Sequence, residues 1–375
     1  MKWTTALVLS LLTPGLAPET ARAQWTAQAS GTGAELRALA AVSARVAWAA
    51  GKGGIFVRTL DGGLTWRADS VPGAGGLFFI GVAATGGDTA WLAGSSFADS
   101  LPDARLYRTV DGGRSWTQQW RSTRPGIFLD GVRCWDGRRA VAFGDALDGH
   151  MVVLVTADGG ATWSPPSVLP AAPPGEAGFA ASGTALEVGA AGRAWLVTGG
   201  GGGASSTRAR VHRTVDYGRS WSVVQTSLAA AKTAGLFGVA FRDAKHGLAV
   251  GGEYTQPRAP GAKVLATSDG GRSWRLVGEA APTGVRYGVA WPAASGRGAF
   301  AVAVGPTGSG YTVDGGRSWT VLDTVAYNTV AFVRGSSGPV GWAAGPAGKI
   351  ARWTGLGSAG GVLSGRGAGA GRARR

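Results

Sequence analysis

The sequence predicts an all-β protein built from repeated sheets, and two observations support this. The chain has 375 residues, of which 66 are glycine, well above the share of about 7% in ordinary soluble proteins. Glycine favours tight turns and weakens helix interiors, so this excess argues against a helical protein. The second observation is an octapeptide that ends in tryptophan and recurs six times along the chain.

The octapeptide sets the length of the repeating unit. Two copies read TVDGGRSW, at residues 109–116 and 312–319, and the other four are TLDGGLTW, TADGGATW, TVDYGRSW and TSDGGRSW. The aspartates of successive copies lie 45 to 58 residues apart. A four-stranded blade of a β-propeller spans roughly 40 to 50 residues. The repeat therefore predicts a propeller in which each octapeptide belongs to one blade.

The octapeptide has the composition of a turn between two strands. An aspartate side chain accepts hydrogen bonds from nearby amides, the glycines tolerate positive φ, and a tryptophan begins the next strand. The large tryptophan ring is expected to lie buried between neighbouring sheets. A calcium site would need clustered carboxylates, which the octapeptide lacks. We therefore predict a structural role for its six aspartates: Asp61, Asp111, Asp158, Asp216, Asp269 and Asp314.

A second repeat indicates the number of blades. Seven apolar runs end in glycine, among them AWAAG at residues 47–51 and GWAAG at 341–345, and each is typical of a buried strand. The seventh run has no octapeptide after it, but residues 24–28 resemble the strands that follow the other six. We expect this N-terminal strand to complete the last blade, because ring closure removes exposed sheet edges. The predicted architecture is a seven-bladed β-propeller over residues 24–354.

The two ends of the chain carry other signals. Residues 1–23 are typical of a signal peptide, since Lys2 precedes an apolar stretch and the small residues Ala21 and Ala23 form a cleavage site. We predict a secreted or periplasmic protein cleaved near Ala23, with an uncleaved anchor as the alternative. No later run reaches about 18 apolar residues, so no integral membrane span is expected in the mature chain. Residues 355–375 are rich in Gly, Ala and Arg and are expected to be disordered.

The sequence offers no recognisable cofactor or metal motif. One cysteine, Cys134, and three histidines give no zinc spacing, so we expect no metal. The glycine-rich GLGSAG at residues 355–360 has no helix after it, so we expect no nucleotide cofactor either. The net charge of +15 would suit nucleic acid, but the export signal argues against that partner.

The octapeptide is the Asp-box, also called the BNR repeat, of sialidases, sortilin-type receptors and several secreted propellers. From WTAQASGT at residue 25 to the closing GWAAGPAGKIARW, the chain most resembles the photosystem II assembly and stability factor-like propellers. Its kinship to sialidase-type and sortilin-type propellers is more distant. The resemblance implies the propeller fold. Bacterial relatives of this type carry glycosyl hydrolase, sialidase or oxidoreductase labels, but the Arg-Ile-Pro element of sialidases is absent from this sequence.

Candidate functional residues lie on one face of the predicted ring. The Asp-boxes belong to one side, the turn face, whereas the loops after the second strands open on the other side, the loop face. Long loops on a rigid ring usually carry binding. Four carboxylates there are candidates for catalysis: Asp145, Asp148, Glu176 and Glu253. Five further residues are candidates for binding: Arg105, His150, Tyr254, Arg258 and Lys263.

The innermost strands add a second set of binding candidates. Their alignment places five polar or aromatic residues at equivalent positions: Arg37, Asp130, Phe237, Tyr287 and Asn328. If this register faces a central channel, a small polar ligand or water would occupy the channel.

The sequence favours an exported, non-enzymatic protein-binding scaffold or assembly factor, because its recognisable motifs are structural and its long loops are charged. The partner is expected to be another protein, with carbohydrate as the alternative. A glycosidase-like hydrolase that uses two of the four carboxylates stays open, and so does an oxidoreductase. A glycosidase needs two carboxyl groups about 5 to 9.5 Å apart across its substrate.

Overall fold

The fold is all-β, as the glycine content and the repeats predict. A computed structural model describes residues 25–98, 100–200, 208–260, 263–292, 299–336 and 338–355. These ranges contain 28 strands and two short 3₁₀ turns, Gly183–Ala185 and Pro346–Gly348. No helix within them is long and apolar enough to cross a membrane. The predicted signal peptide and residues 356–375 of the predicted tail lie outside the described residues.

Consecutive strands pair antiparallel, so the sheets follow one another along the chain. The first strand is β1 (Trp25–Gln28), and two four-stranded sheets follow it: β2 (Leu36–Ala41), β3 (Ala47–Gly51), β4 (Ile55–Thr59) and β5 (Arg67–Ser70); β6 (Phe78–Ala84), β7 (Ala90–Ser95), β8 (Ala104–Thr109) and β9 (Thr117–Ser122). A three-stranded sheet comes next: β10 (Leu129–Cys134), β11 (Ala140–Leu147) and β12 (His150–Thr156).

The following nine strands form one continuous sheet: β13 (Glu176–Ala177), β14 (Leu186–Gly189), β15 (Arg193–Gly200), β16 (Arg208–Thr214), β17 (Ser222–Ala229), β18 (Ala234–Phe241), β19 (Gly247–Glu253), β20 (Val264–Thr267) and β21 (Arg275–Gly278). Within it β14–β17 and β18–β21 are two groups of four, joined where Gly199 pairs with Gly235. The last two sheets are β22 (Gly288–Ala290), β23 (Ala301–Gly305), β24 (Gly308–Thr312) and β25 (Thr320–Asp323), then β26 (Thr329–Gly335), β27 (Gly338–Ala344), β28 (Ile350–Trp353) and β1.

The first strands of these groups contact one another in a closed circle: β2, β6, β10, β14, β18, β22, β26 and again β2. The last sheet of the circle has β1 as its outermost strand. This strand pairs antiparallel with β28, so that Trp25 lies opposite Trp353 and Gln28 opposite Ile350. The second strands, such as β3 and β7, are buried along their whole length, which explains their unbroken apolar sequences.

Each Asp-box closes its turn with the same set of hydrogen bonds. At Asp111, the Thr109 hydroxyl donates to the carboxylate at 2.8 Å, and the amide and hydroxyl of Ser115 donate at 3.0 and 2.6 Å. The Gly113 amide donates to the Thr109 hydroxyl oxygen at 2.9 Å. Gly112 and Gly113 have φ of 78° and 81°, in the left-handed region that favours glycine. The other five boxes repeat this pattern, although Tyr217 replaces the first glycine in the fourth.

The tryptophans of the first two boxes pack toward the preceding sheet. The ring of Trp66 meets Trp342 edge-on at 6.4 Å between centroids, and Trp116 meets Trp48 in the same way at 6.3 Å. On the other side of Trp48, the Arg58 guanidinium lies 5.2 Å from its ring and donates to the Gly87 carbonyl of the next sheet. Aromatic burial and a cation–π contact therefore join successive sheets.

Replacing Asp269 with Asn is expected to lower the free energy of unfolding by about 1 kcal/mol at neutral pH and by much less near pH 2. Burial raises the pKa of Asp269, but hydrogen bonds from Ser273 and Thr267 outweigh it and lower the pKa to about 2. Such a carboxylate adds stability above its ordinary pKa, near about 3.9, and this stability is lost as the pH falls through the folded value. Urea unfolding across this pH range measures the effect. Asp88→Asn, an exposed acid, is the control, and an equal loss for Asp269→Asn at both pH values would contradict the assignment.

Replacing Trp25 with Ala is expected to lower the free energy of unfolding by about 3 kcal/mol, since it removes a large ring from a cluster. The Trp25 ring lies 5.3 Å from Trp353 and 5.9 Å from Tyr327, and its indole N–H donates to the Ser309 hydroxyl at 3.0 Å. Thr26→Ala changes an exposed residue of the same strand and is the matched control. Thermal and urea unfolding compare the two variants, and equal stabilities would show that β1 does not secure the ring.

Candidate functional site

Residues 179–185, here called the plug, fill the centre of the circle of first strands. The 3₁₀ turn in the plug contacts β2, β6, β10, β18, β22 and β26. The hydroxyls of Ser182 and Thr184 donate to the Tyr287 carbonyl at 2.8 and 3.2 Å. At the depth of this 3₁₀ turn, the chain itself therefore occupies the centre of the circle, where the sequence led us to expect a channel with water or a small polar ligand.

Two predicted site residues, Asp130 and Asp145, meet beneath the plug. Each lies at a β-bulge, Asp130 between Leu129 and Gly131 of β10 and Asp145 between Gly144 and Ala146 of β11. Because a bulge interrupts the alternation of a strand, it can aim a side chain away from its regular direction. Asp130 is 1% exposed, both of its carboxyl oxygens lack a hydrogen-bond partner among the described residues, and the Asp145 carboxyl group is its acidic neighbour. Asp145 also accepts from the Gly178 amide at 2.9 Å, next to the plug.

Burial favours the protonated form of both carboxyl groups. Burial raises the pKa of Asp130 well above its ordinary value, and the negative charge of Asp145 raises it further. Burial also raises the pKa of Asp145, although the Gly178 amide partly opposes this. Desolvation and a neighbouring negative charge both disfavour a carboxylate, so together they favour protonation of at least one carboxyl group of the pair. The pair joins β10, β11 and the segment that leads into the plug.

Glu176 anchors the same segment to the neighbouring strands. Its carboxylate accepts from the Thr198 hydroxyl, from His212 Nε2 at 2.8 Å and from the Arg210 guanidinium. Burial raises the pKa of Glu176, but these three donors outweigh it and the pKa is lowered. His212 is fully buried and its pKa is lowered by that burial. Both carboxylate oxygens of Glu176 therefore accept hydrogen bonds from donors within the protein.

The remaining carboxylate candidates stabilise loops. Asp148 adopts a left-handed conformation with φ of 52° and forms an ion pair with Arg124. Glu253 accepts from the hydroxyls of Thr233 and Thr255, both at 2.7 Å. Of the four catalytic candidates, only Asp145 has the carboxyl group of another predicted site residue, Asp130, as its neighbour.

Some of the predicted binding residues are hydrogen-bonded within the protein, and others are exposed. The guanidinium of Arg105 is bound to Asp103 and to the Tyr107 hydroxyl. The His150 ring contacts the Asp148 carbonyl at 3.1 Å, and Lys263 donates to the Pro260 carbonyl at 3.3 Å. The amide of Asn328, 5% exposed, donates to the Leu36 carbonyl at 3.0 Å. Tyr254 and Arg258 are exposed on the loop face.

Aromatic side chains of the plug and of the elements around it meet on the loop face, some of them exposed and others, such as Phe237, buried. We call them together with Arg37 the aromatic surface: Phe78, Phe97, Phe128, Phe179, Phe237, Tyr254 and Tyr287. On one side, Phe97 meets Phe78 edge-on at 5.5 Å and Phe128 at 4.9 Å. On the other side, Phe179 of the plug stacks on Phe237 at 4.5 Å and meets Tyr254 at 6.1 Å.

Arg37 connects the two aromatic groups. Its guanidinium lies 4.6 Å from the Phe78 ring and 5.8 Å from the Phe97 ring. It also donates to the Ala180 carbonyl of the plug at 2.8 Å and to Glu35 at 2.9 Å. Because both its position and its charge are fixed by partners, Arg37 forms a rigid centre for the aromatic surface.

Sequence reasoning found Arg37, Phe237, Tyr254 and Tyr287 but missed the other four aromatics. Phe97 lies in a loop whose predicted site residues were charged, Phe78 is the first residue of β6, and Phe128 lies just before β10. Phe179 lies in a segment without strand periodicity. The signal that could have revealed them is the presence of large aromatic side chains in loops and at strand ends, where burial is not required.

Two clefts lie on the turn face, where the described residues include no comparable cluster of exposed rings. A cleft of about 330 Å³ is lined by Trp135, Arg139 and Tyr217 among others, and the Arg139 guanidinium lies 4.0 Å from the Tyr217 ring. A neighbouring cleft of about 460 Å³ is lined by residues 136–139 and Ala157. Among the described residues, no group of three or more acidic, His or Cys side chains could bind a metal ion.

Comparison with known proteins identifies the fold. No protein-family model matches the chain, and no curated protein matches it by sequence. The structure is similar to YCF48 bound to D1 peptide, with a TM-score of 0.60 and 17% identity over 89% of this chain and 99% of that one. It is also similar to YCF48 from Cyanidioschyzon merolae, with a TM-score of 0.57 and 16% identity over 88% and 98%. The fold is a β-propeller.

Other propellers show the same likeness. The WD40 β-propeller domain of Doa1 gives a TM-score of 0.55 at 11% identity over 90% of this chain and 98% of that one. The GH74 xyloglucanase from Xanthomonas campestris gives 0.58 at 17% identity over 88% of this chain, which spans only 53% of the enzyme. The YCF48 structures confirm the resemblance inferred from the Asp-boxes. At these identities the likeness concerns the fold.

Replacing Asp130 with Asn is expected to raise the free energy of unfolding by about 1 to 3 kcal/mol at pH 8 and to leave it unchanged near pH 4. An acid whose pKa is raised by folding loses stability as the pH rises from its unfolded pKa, about 3.9, toward the folded value. Asparagine is neutral throughout and its amide can donate to Asp145. Urea unfolding at both pH values measures the difference, with Asp69→Asn, an acid on the loop face, as control. A variant with the same pH dependence as the wild type would contradict the raised pKa of Asp130.

Proposed function

We propose that the chain is an exported, non-enzymatic protein-binding scaffold built on a seven-bladed propeller. The closed circle of first strands and the pairing of β1 with β28 support seven blades joined by the N-terminal strand. Asp-boxes in six of these blades fit the hydrogen bonds at Asp61 and its five counterparts. The signal-like residues 1–23 support export and cleavage near Ala23.

The observation that carries the proposal is the aromatic surface. Phe97 and Tyr254 are 55% and 42% exposed, and Leu101 in the same loop as Phe97 is 72% exposed. Exposed apolar side chains grouped on one face are typical of a protein interaction site. Aromatic residues and arginine are also the types enriched at the centres of such interfaces. A protein partner that covers this face is therefore the function that the geometry supports best.

The glycosidase alternative has less support from the carboxylates. Asp145 is paired with Asp130 under the plug, and Glu176 is held by three donors. Asp148 and Glu253 hold loops through Arg124 and two threonines. An acid and a base that act on a sugar must both be open to it. The likeness to the xyloglucanase concerns the fold, so it does not favour this alternative over binding.

A photo-crosslinking amino acid at position 97 is expected to form an adduct of defined mass with a partner protein in intact cells. The same amino acid at position 64 is the control, since Leu64 is 82% exposed but lies on the turn face. Tyr254→Ala in the position-97 chain should reduce the adduct several-fold, because it removes part of the same surface. Fractionation of the cells should recover both the adduct and a chain without residues 1–23 outside the cytoplasm.

Two results would count against this proposal. Adducts of equal yield at positions 64 and 97 would mean that the loop face is not the binding face. Turnover of a polysaccharide that is abolished by Asp145→Asn, in a protein that remains folded, would favour the glycosidase alternative instead.

A further inference from the structure

The charges around the aromatic surface are unevenly balanced. Its neighbouring carboxylates have partners within the protein: Glu35 binds Arg37, Asp103 binds two arginines, and Asp148 binds Arg124. By contrast, Lys232 and Arg258 are exposed and form no ion pair with any residue that the structure describes. Among the described residues, the donors to Glu253, which precedes Tyr254, are the neutral Thr233 and Thr255. Around Tyr254, the exposed basic residues Lys232 and Arg258 therefore outnumber this carboxylate.

The unpaired basic residues flank the exposed end of the aromatic surface. The Tyr254 amide donates to the Thr233 carbonyl at 3.1 Å, so the connection that carries Lys232 lies directly beside Tyr254. Arg258 follows in the same loop as Tyr254, and the Tyr254 ring meets Phe237 at 6.4 Å and Phe179 at 6.1 Å. Lys232 and Arg258 therefore belong to segments next to the rings at which an apolar group would bind.

We infer that this site binds an acidic segment of a partner protein that carries an aromatic or large aliphatic side chain among its acidic residues. The apolar side chain would pack on Phe179 and Tyr254, and its acidic neighbours would pair with Lys232 and Arg258. Opposite charges across an interface select the partner and speed association, and the aromatic contact supplies most of the affinity. This inference rests on the proposed protein-binding function and names the chemistry of the partner.

The rigidity of the site favours recognition of a flexible segment. Phe179 belongs to the plug, which the Ser182 and Thr184 hydroxyls and the Gly178 amide tie to the surrounding strands. A surface already ordered before binding loses little conformational entropy, so the cost of ordering falls mainly on the segment.

The test measures binding of labelled peptides to the purified full-length protein by fluorescence anisotropy. The first peptide has Phe-Leu-Trp at its centre and acidic residues on both sides; a second replaces the acids with lysines, and a third replaces Phe-Leu-Trp with alanines. The first should bind at least about tenfold more tightly than the others, and its affinity should fall as salt rises. Tyr254→Ala and Arg258→Glu should each weaken it by about tenfold.

Matched controls separate a local effect from net charge. Arg45→Glu makes the same charge change at an exposed position on the turn face and should change the affinity less than about twofold. Equal losses for Arg45→Glu and Arg258→Glu would overturn the inference, and so would tight binding of single-stranded DNA through the same residues. If no peptide binds while position 97 still crosslinks to a protein, the inference about the segment fails and the scaffold function stands. If crosslinking fails as well, both fail.

Discussion

The contact between the tryptophan of one Asp-box and the preceding sheet is the interaction on which the rest of the structure depends. The aspartate fixes the turn through three donors, so the strand that follows has one direction and its tryptophan one place to pack. Since a sheet that is apolar on both faces cannot stand alone in water, each blade needs the next. Repetition of this contact, supported by arginines such as Arg58, bends the series of sheets into a ring.

The elements that the sequence predicted well are those whose signal is local and repeated. Asp-boxes, apolar second strands and the pairing of residues 25–28 with the last strand follow from spacing and composition. The plug was not predicted because residues 179–185 have no period, and their position depends on contacts with several first strands. The bulges at Asp130 and Asp145 were also missed, since the strand pattern places a side chain on a face only where the alternation is regular.

In this site, the charge of a residue indicated its functional role poorly, and its exposure after folding indicated it better. Carboxylates in loops looked like reactive groups, yet Glu176 and Asp145 are bound inside the protein, where an unpaired charge would be costly. No loop phenylalanine was among the predicted site residues, yet Phe97 is more than half exposed. A buried charge acquires partners during folding, whereas an exposed ring keeps its apolar face for another molecule. The sequence shows the residue types but not which of them remain unsatisfied after folding.

The pairing of β1 with β28 also governs the order in which the protein can form. Nearly all of the described chain lies between the two strands, so β28 must exist before β1 has a partner. Until then the edges of both strands are open to pairing with other chains. Bringing such distant segments together is slow, because chain entropy is lost before the contact forms. The pairing of β1 with β28, rather than the formation of any single sheet, is therefore the step at which folding competes with aggregation.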